Sequence, residues 1–256
     1  MIGRLGWVRD DLDHNDYSPR AFKDVELPPQ VDLRQWCPPV MNQGNLGSCT
    51  AHGATGAARY YIIKQGLLPD SPMARLQLYY DSRALEGTIN SDAGAQIRDV
   101  IKTMATKGVA HESNWPYDEA NWAMQPPANV YADAETYKAL LYTPVNVDTN
   151  AVMKALAAGH PVVVGLSLYE SFDAAYVGGV VPMPIAGEDT VGGHCMYVVG
   201  YGQKPGYFTV RNSWGEDWGD KGDCYIPMGY LASPKYGADY WIVDTFGRDP
   251  ATAPAA

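Results

Sequence analysis

The 256-residue chain carries four cysteines, Cys37, Cys49, Cys195 and Cys224. They are too few and too scattered for a disulfide framework, and no Cys-x-x-Cys pair is present to seed a structural zinc site. Cationic side chains are also scarce. The 19 Lys and Arg against 29 Asp and Glu leave a formal net charge of −10, which argues against a nucleic-acid partner and disfavours anionic membranes. No apolar run approaches the length of a transmembrane helix, and the first ten residues lack the apolar core of a secretory signal. The expected location is therefore the cytoplasm, or outside the cell by a route without a Sec signal. Internal repeats are absent. Only 4 Phe accompany 18 Tyr and 7 Trp, so most aromatics also need hydrogen bonds, as in deep clefts and lobe interfaces.

What is present is a hydrophobic fraction of 46%, enough to bury the core of one large domain or two lobes. Residues 1–30 are polar, carry Asp10, Asp11 and Asp13, and end at Pro28-Pro29. They read as an N-terminal arm ahead of the first folded element. The Ala-rich stretch 49–65, free of proline and followed by Gly66, predicts a buried helix. Further helices are expected over 76–85, 95–106 (with Ile97, Val100, Ile101 and Met104 on one face and Gly108 as the stop) and 150–158. Segments 67–74 and 115–129, rich in proline, read as loops. Strands are expected over 143–147, 161–168, 195–201, 207–211 and 223–227. Helices first and strands later predict an α+β fold of two lobes, mainly helical over about 40–135 and mainly antiparallel β over about 136–247, with a frayed tail at 248–256.

The run Asn42-Gln43-Gly44-Asn45-Leu46-Gly47-Ser48-Cys49 carries the chemistry. A thiol at a helix start faces unpaired N–H groups and the positive end of the macrodipole, which favour a nucleophilic thiolate. Gln43 supplies an amide N–H, half of an oxyanion hole. A cysteine nucleophile needs a base, and the base an orienting partner. His194 follows Gly192-Gly193 and precedes an apolar strand, which predicts its ring at a strand start. Asn212 closes another strand in Asn212-Ser213-Trp214-Gly215, where Trp214 would shield its bond to the imidazole.

With Gln43-x5-Cys49, Gly193-His194 and Asn212-Ser213-Trp214-Gly215 in order, the chain resembles the papain-like cysteine peptidases. His194 and Asn212 lie 145 and 163 residues after Cys49, near the spacing of that family. Gly6-Trp7-x-x-Asp10, Val31-Asp32-Leu33-Arg34, Cys37-Pro38-Pro39-Val40, Gly94-Ala95-Gln96-Ile97 and Trp115-Pro116-Tyr117 extend the resemblance to the bacterial and viral branch without a long propeptide. Two departures stand out. Leu46 occupies the place of a cysteine that normally forms a nearby disulfide, and Thr50 that of a bulky aromatic.

The resemblance implies a two-lobed papain-like fold spanning 31–247, with a mainly helical lobe, an antiparallel β-barrel-like lobe and the cleft between them. It implies peptide-bond hydrolysis by a Cys49-His194-Asn212 triad, in which His194 is first the acid for the leaving amine and then the base for water. Gln43 and the Cys49 N–H would form the oxyanion hole, and no cofactor or metal is required. An extended polypeptide would bind along Ala93, Gly94, Gly192, Gly193 and Trp214, with some of 166–169 setting side-chain preference. A protein inhibitor is a further expected partner.

Other readings stand beside this one. The same triad serves a deamidase or transglutaminase, and a silent peptide-binding module would need only the cleft. The arm either packs on the body or covers Cys49 to give a latent form. His52, one turn along the helix from Cys49, reads as structural, and His14, His111 and His160 as solvated or capping residues. Cys195 reads as buried and inert, and pairing of Cys37 with Cys224 is left open.

Overall fold

The computed structural model describes residues 2–11, 18–19, 21–66, 71–135 and 137–247. The expectations for His14, for 67–70 and for the tail at 248–256 lie outside these. In chain order the regular elements are β1 (Trp7–Val8), β2 (Val31–Asp32), α1 (Cys49–Gln65), α2 (Arg75–Glu86), β3 (Ala95–Gln96), α3 (Ile97–Thr106), α4 (Ala128–Ala134), β4 (Lys138–Pro144) and α5 (Thr149–Ala157). There follow β5 (Val162–Tyr169), β6 (Thr190–Tyr201), β7 (Tyr207–Arg211), β8 (Asp223–Pro227), α6 (Met228–Leu231) and β9 (Gly237–Gly247). Helices dominate the first half and antiparallel strands the second, the two-lobed α+β arrangement expected.

α1 is the central helix. Every residue from Cys49 to Ile62 is buried, because its Ala and Gly surface lets β6 and β9 pack closely along it. Gly66 closes it in the left-handed conformation, φ 62°. On α3 the faces separate cleanly, with Ile97, Val100, Ile101 and Met104 all fully buried. In the second lobe the strand order is β4-β9-β5-β6-β7-β8, with β2 added beside β6, all antiparallel. The isolated pair β1-β3 is parallel and ties the N-terminal segment to the helical lobe.

Three expectations are corrected. The strand expected at 143–147 lies earlier, at Lys138–Pro144. Irregularities between Ala139 and Tyr142 leave the neighbours Leu140 and Leu141 both exposed, which erases the alternation. The proline-rich stretch 115–129 ends in α4, which begins after Pro127, a residue suited to a helix start. His194 sits inside β6 rather than at its start, opposite Leu166, because β5 pairing continues through Gly193 and Gly192 to Thr190. All four cysteines are free.

Candidate active site

Cys49 opens α1 at the end of a loop that is stitched to the other lobe. The Gln43 N–H donates to the Ser213 carbonyl at 2.9 Å and the Gly215 N–H to the Met41 carbonyl at 3.1 Å. Gln43 is fully buried, and its amide orientation is fixed by Ser213, whose hydroxyl donates to Oε1 at 2.6 Å. Nε2 is thereby left as the donor, to the Leu46 carbonyl at 2.8 Å and the Arg4 carbonyl at 3.0 Å.

A buried polar network backs this loop. The Tyr117 hydroxyl donates to the Gln43 carbonyl at 2.8 Å and meets Ser48 Oγ at 2.7 Å. Arg75 lies over the Tyr117 ring, 4.7 Å from its centroid, and grips Glu112 at 2.6 Å. Its Nη1 donates to His52 Nε2 at 3.0 Å, so His52 Nδ1–H donates to the Ser48 carbonyl, also at 3.0 Å. Burial first, and then the Arg75 charge, push His52 down to about 3. His52 is therefore a neutral strut behind the loop. Ser213, Tyr117 and Arg75 were not among the sequence candidates, although Ser213 and Tyr117 stand inside motifs that the resemblance picked out.

Across from the loop, His194 Nε2 and Asn212 Oδ1 are 2.7 Å apart, and the Ser213 N–H also donates to that oxygen at 2.8 Å. Trp214 stacks on the imidazole with centroids 4.5 Å apart and an interplanar angle of 26°. His194 Nδ1 is buried with no hydrogen-bond partner among the described residues. The next residue's amide, Cys195 N–H, donates to Cys49 Sγ at 3.4 Å. Cys195 itself is buried.

The electrostatics reverse the expectation of a thiolate. Burial pushes the Cys49 thiol up to about 12, with the Cys195 N–H acting the other way. Burial likewise pushes His194 down to about 4, against the bond it makes to Asn212 Oδ1. Both groups are neutral in this state, because Cys49 and His194 have no exposed surface and the helix-start field does not offset that desolvation.

The N-terminal segment lies against these residues. Gly6 donates to the Gly193 carbonyl at 3.0 Å and accepts from the Ala95 N–H at 2.9 Å. The Arg4 carbonyl accepts from Gln43 Nε2 and, at 3.4 Å, from Trp214 Nε1. The Trp7 ring occupies the space that a Cβ on Gly165 would fill, and a Cβ on Gly193 would overlap Trp7 as well. Gly94, with φ 81°, is bare because the Gly6 carbonyl lies against it. Among the expected substrate contacts, Gly94, Gly192, Gly193 and Trp214 thus meet residues 3–7, while Ala93 is exposed. Beyond Trp7 the segment is pinned by acids. Trp7 Nε1 and the Asp10 N–H donate to Asp239 Oδ2 at 2.9 and 2.8 Å, and Trp241 Nε1 donates to Asp10 Oδ2 at 3.1 Å.

His111 and His160, expected as solvated or capping residues, are instead partnered. His111 Nδ1 lies 3.1 Å from Asp133, and His160 Nδ1 lies 2.8 Å from the Tyr61 hydroxyl.

The family model described as papain family cysteine protease matches residues 27–243. The chain belongs to the papain family of cysteine proteases. It is similar to an uncharacterized peptidase C1-like protein of Acanthamoeba polyphaga mimivirus, at 37% identity over 213 residues, covering 79% of this chain and 68% of that protein. The chain spans 60% to 69% of the length of the curated relatives it matches. Among solved structures it is similar to xylellain, a cysteine protease from Xylella fastidiosa. There the TM-score is 0.87 and the identity 34%, over 94% of this chain and 95% of that one. Bromelain from Ananas comosus in complex with the inhibitor E64 shares the fold, with a TM-score of 0.63 and 22% identity over 78% of this chain and 90% of that chain.

Proposed function

We propose that the chain is a peptidase that cleaves polypeptides through Cys49, His194 and Asn212, and that its own residues 2–11 hold it latent. The observation that carries this reading is that Gln43 Nε2, the expected oxyanion donor, already holds a peptide carbonyl, that of Arg4. In the open form, Cys49 Sγ would attack a substrate carbonyl while His194 Nδ1 takes the thiol proton. The same nitrogen would then return that proton to the amine as the C–N bond breaks, so that the amine leaves and Cys49 remains acylated as a thioester. Asn212 would hold Nε2–H and so keep Nδ1 on the reacting side without adding a charge. Water activated by His194 would complete hydrolysis.

The docked segment would be a non-productive ligand. Its carbonyl is shared between Gln43 and Trp214, whereas attack needs it between Gln43 and the Cys49 N–H. Mass spectrometry of peptides incubated with the protein tests the reaction class. Peptidase action yields two fragments whose masses sum to substrate plus one water. A gain of about one dalton in an uncut peptide, as expected of amide-to-acid conversion on the same thioester route, would replace this reading with a deamidase.

The acids at the end of the docked segment give the latch a pH dependence. Burial first, and then the Asp239 charge, push Asp10 up to about 7 from 3.8, against the Arg98 N–H, the Trp241 N–H and the Arg98 charge. Asp239 is also raised by burial, although Trp7, Asp10 N–H, Arg9 and Arg98 oppose it. The docked form therefore holds its proton more tightly than the free segment. Docking gains from this below about pH 4 and loses it as pH rises through 7. With 5-fluorotryptophan at Trp7, the docked-to-free ratio should fall about tenfold or more between pH 5 and 8. Asp10→Asn should flatten that fall, and an unchanged slope in this variant would remove Asp10 from the latch.

A further inference from the structure

We propose that Cys195 is the resolving thiol for an oxidised Cys49, so that peroxide converts the pair into a reversible disulfide. This goes beyond the peptidase reading and needs only that the oxidant reach Cys49. All four cysteines are free, and these two meet where the head of α1 faces β6. The Cys195 N–H donates to Cys49 Sγ at 3.4 Å. With N and Cα joined by about 1.46 Å, that sulfur lies no more than about 5 Å from the Cys195 Cα. A disulfide sets its two Cα atoms about 5.5–6 Å apart, so Cys195 has to turn its side chain rather than move its backbone. The space for that turn is present. A Cβ at Gly53, one helical turn past Cys49, would sit 2.9 Å from Cys195 Sγ, and glycine leaves that side bare. On β5 the residue paired with Cys195 is Gly165, and the Trp7 ring occupies the place of its missing Cβ. Departure of the N-terminal segment therefore clears the other side of the thiol and exposes Cys49 in the same step.

The two sulfurs have different parts. Burial first, and then charge on Cys49, Asp10 and Asp239, keep Cys195 a thiol. Peroxide oxidises thiolates, so Cys195 is the poorer first target and Cys49, at a helix start, the better one once uncovered. The Cys49 sulfur attacks one peroxide oxygen, the O–O bond breaks, and a sulfenic acid and water form. Cys195 Sγ then attacks Cys49 Sγ. The S–S bond forms, the S–O bond breaks, and the hydroxyl leaves with the Cys195 proton as water. Peroxide is the oxidant of the first step, and the second needs no outside reagent. The disulfide holds Cys49 short of the sulfinic acid, which thiols do not reduce, and exchange with an external thiol restores both cysteines.

The test treats the full chain with hydrogen peroxide above neutral pH, where docking of residues 2–11 is weakest, and maps its peptides by mass spectrometry with fragmentation. In the natural chain, a species joining Cys49 to Cys195 should account for most of the Cys49 thiol lost, and dithiothreitol should restore alkylation of Cys49. In Cys195→Ala, Cys49 should pass on to sulfinic acid, and dithiothreitol should recover about tenfold less alkylation than in the natural chain. That variant removes one buried sulfur and leaves Cys49, His194 and Asn212 in place. A natural chain in which Cys49 becomes sulfinic acid, pairs with a different cysteine or keeps its thiol throughout would overturn the assignment. Equal recovery in the two proteins would do the same. Each of these outcomes leaves the peptidase reading standing, because that reading is tested on the products of a peptide substrate.

Discussion

Gly6→Ala in the full chain should speed alkylation of Cys49 by about 30-fold or more, corresponding to about 2 kcal/mol or more of lost docking. A Cβ at Gly6 would overlap the Gly47 carbonyl. That carbonyl is backbone in a loop with little freedom, since the Gly47 N–H is bonded to Asp92 and Cys49 follows two residues later at the head of α1. The docked segment cannot slide away either, because on its other side the Gly6 carbonyl already lies against Gly94. The added methyl is therefore relieved by leaving the cleft. Departure opens the thiol to solvent and so relieves burial, the largest cause that pushes it up to about 12, which outweighs the lost Gly6 N–H that lowers it. The helix start can then favour thiolate, and alkylation should extend to lower pH. Rates measured from pH 5 to 9 for the natural chain and the variant decide the matter. Equal rates with equal pH dependence would show that residues 2–11 do not restrain Cys49. The body of the fold should survive, since Phe22, Leu33 and the β2-β6 pairing anchor the chain after the segment that leaves.

Which features were legible in the sequence follows from where their information sits. α1 and α3 could be read because local pattern and stop signals agree: a proline-free Ala run before Gly66, and a 3.6-residue apolar stripe before Gly108. β4 was misplaced because irregular pairing with β9 decides its course, and that pairing is remote in sequence. The residues brought around Cys49 were legible as motifs, since the chemistry demands fixed side-chain types. Their supports were harder to see. Tyr117 reaches Gln43 from 74 residues away, and Ser213 from 170. The protonation state at Cys49 was misread for a related reason. The helix-start argument concerns the thiol's own helix, whereas burial within the folded chain raises the thiol and outweighs the N–H groups of Cys195, Gly6, Thr50 and Cys49 that lower it.

Once the cleft is open, Gln43 should separate two kinds of reaction at the same thiol. In the Gly6→Ala background, Gln43→Ala should lower kcat on a peptide substrate by about 100- to 1000-fold, the usual cost of one oxyanion donor. Alkylation by chloroacetamide should be little changed, because displacement of chloride builds no negative charge on a carbonyl oxygen that Gln43 must stabilise. Cys49→Ala should abolish both reactions, and His194→Ala should depress both, since each needs the thiol proton removed. Gln43→Glu sharpens the case. Ser213 Oγ could still donate to one carboxylate oxygen as it does to Oε1 at 2.6 Å, so the side chain would keep its place. Its other oxygen would face the developing oxyanion, and kcat should fall at least as far as in Gln43→Ala. The buried Oε1 bond and the 2.8 Å bond from Nε2 to the Leu46 carbonyl also brace the loop, which gives the alternative a distinct signature. If Gln43 served only to hold the loop, its loss would displace Cys49 and slow alkylation together with turnover. A fall in both by the same factor would thus assign Gln43 to the scaffold, whereas a fall in turnover alone assigns it to the transition state.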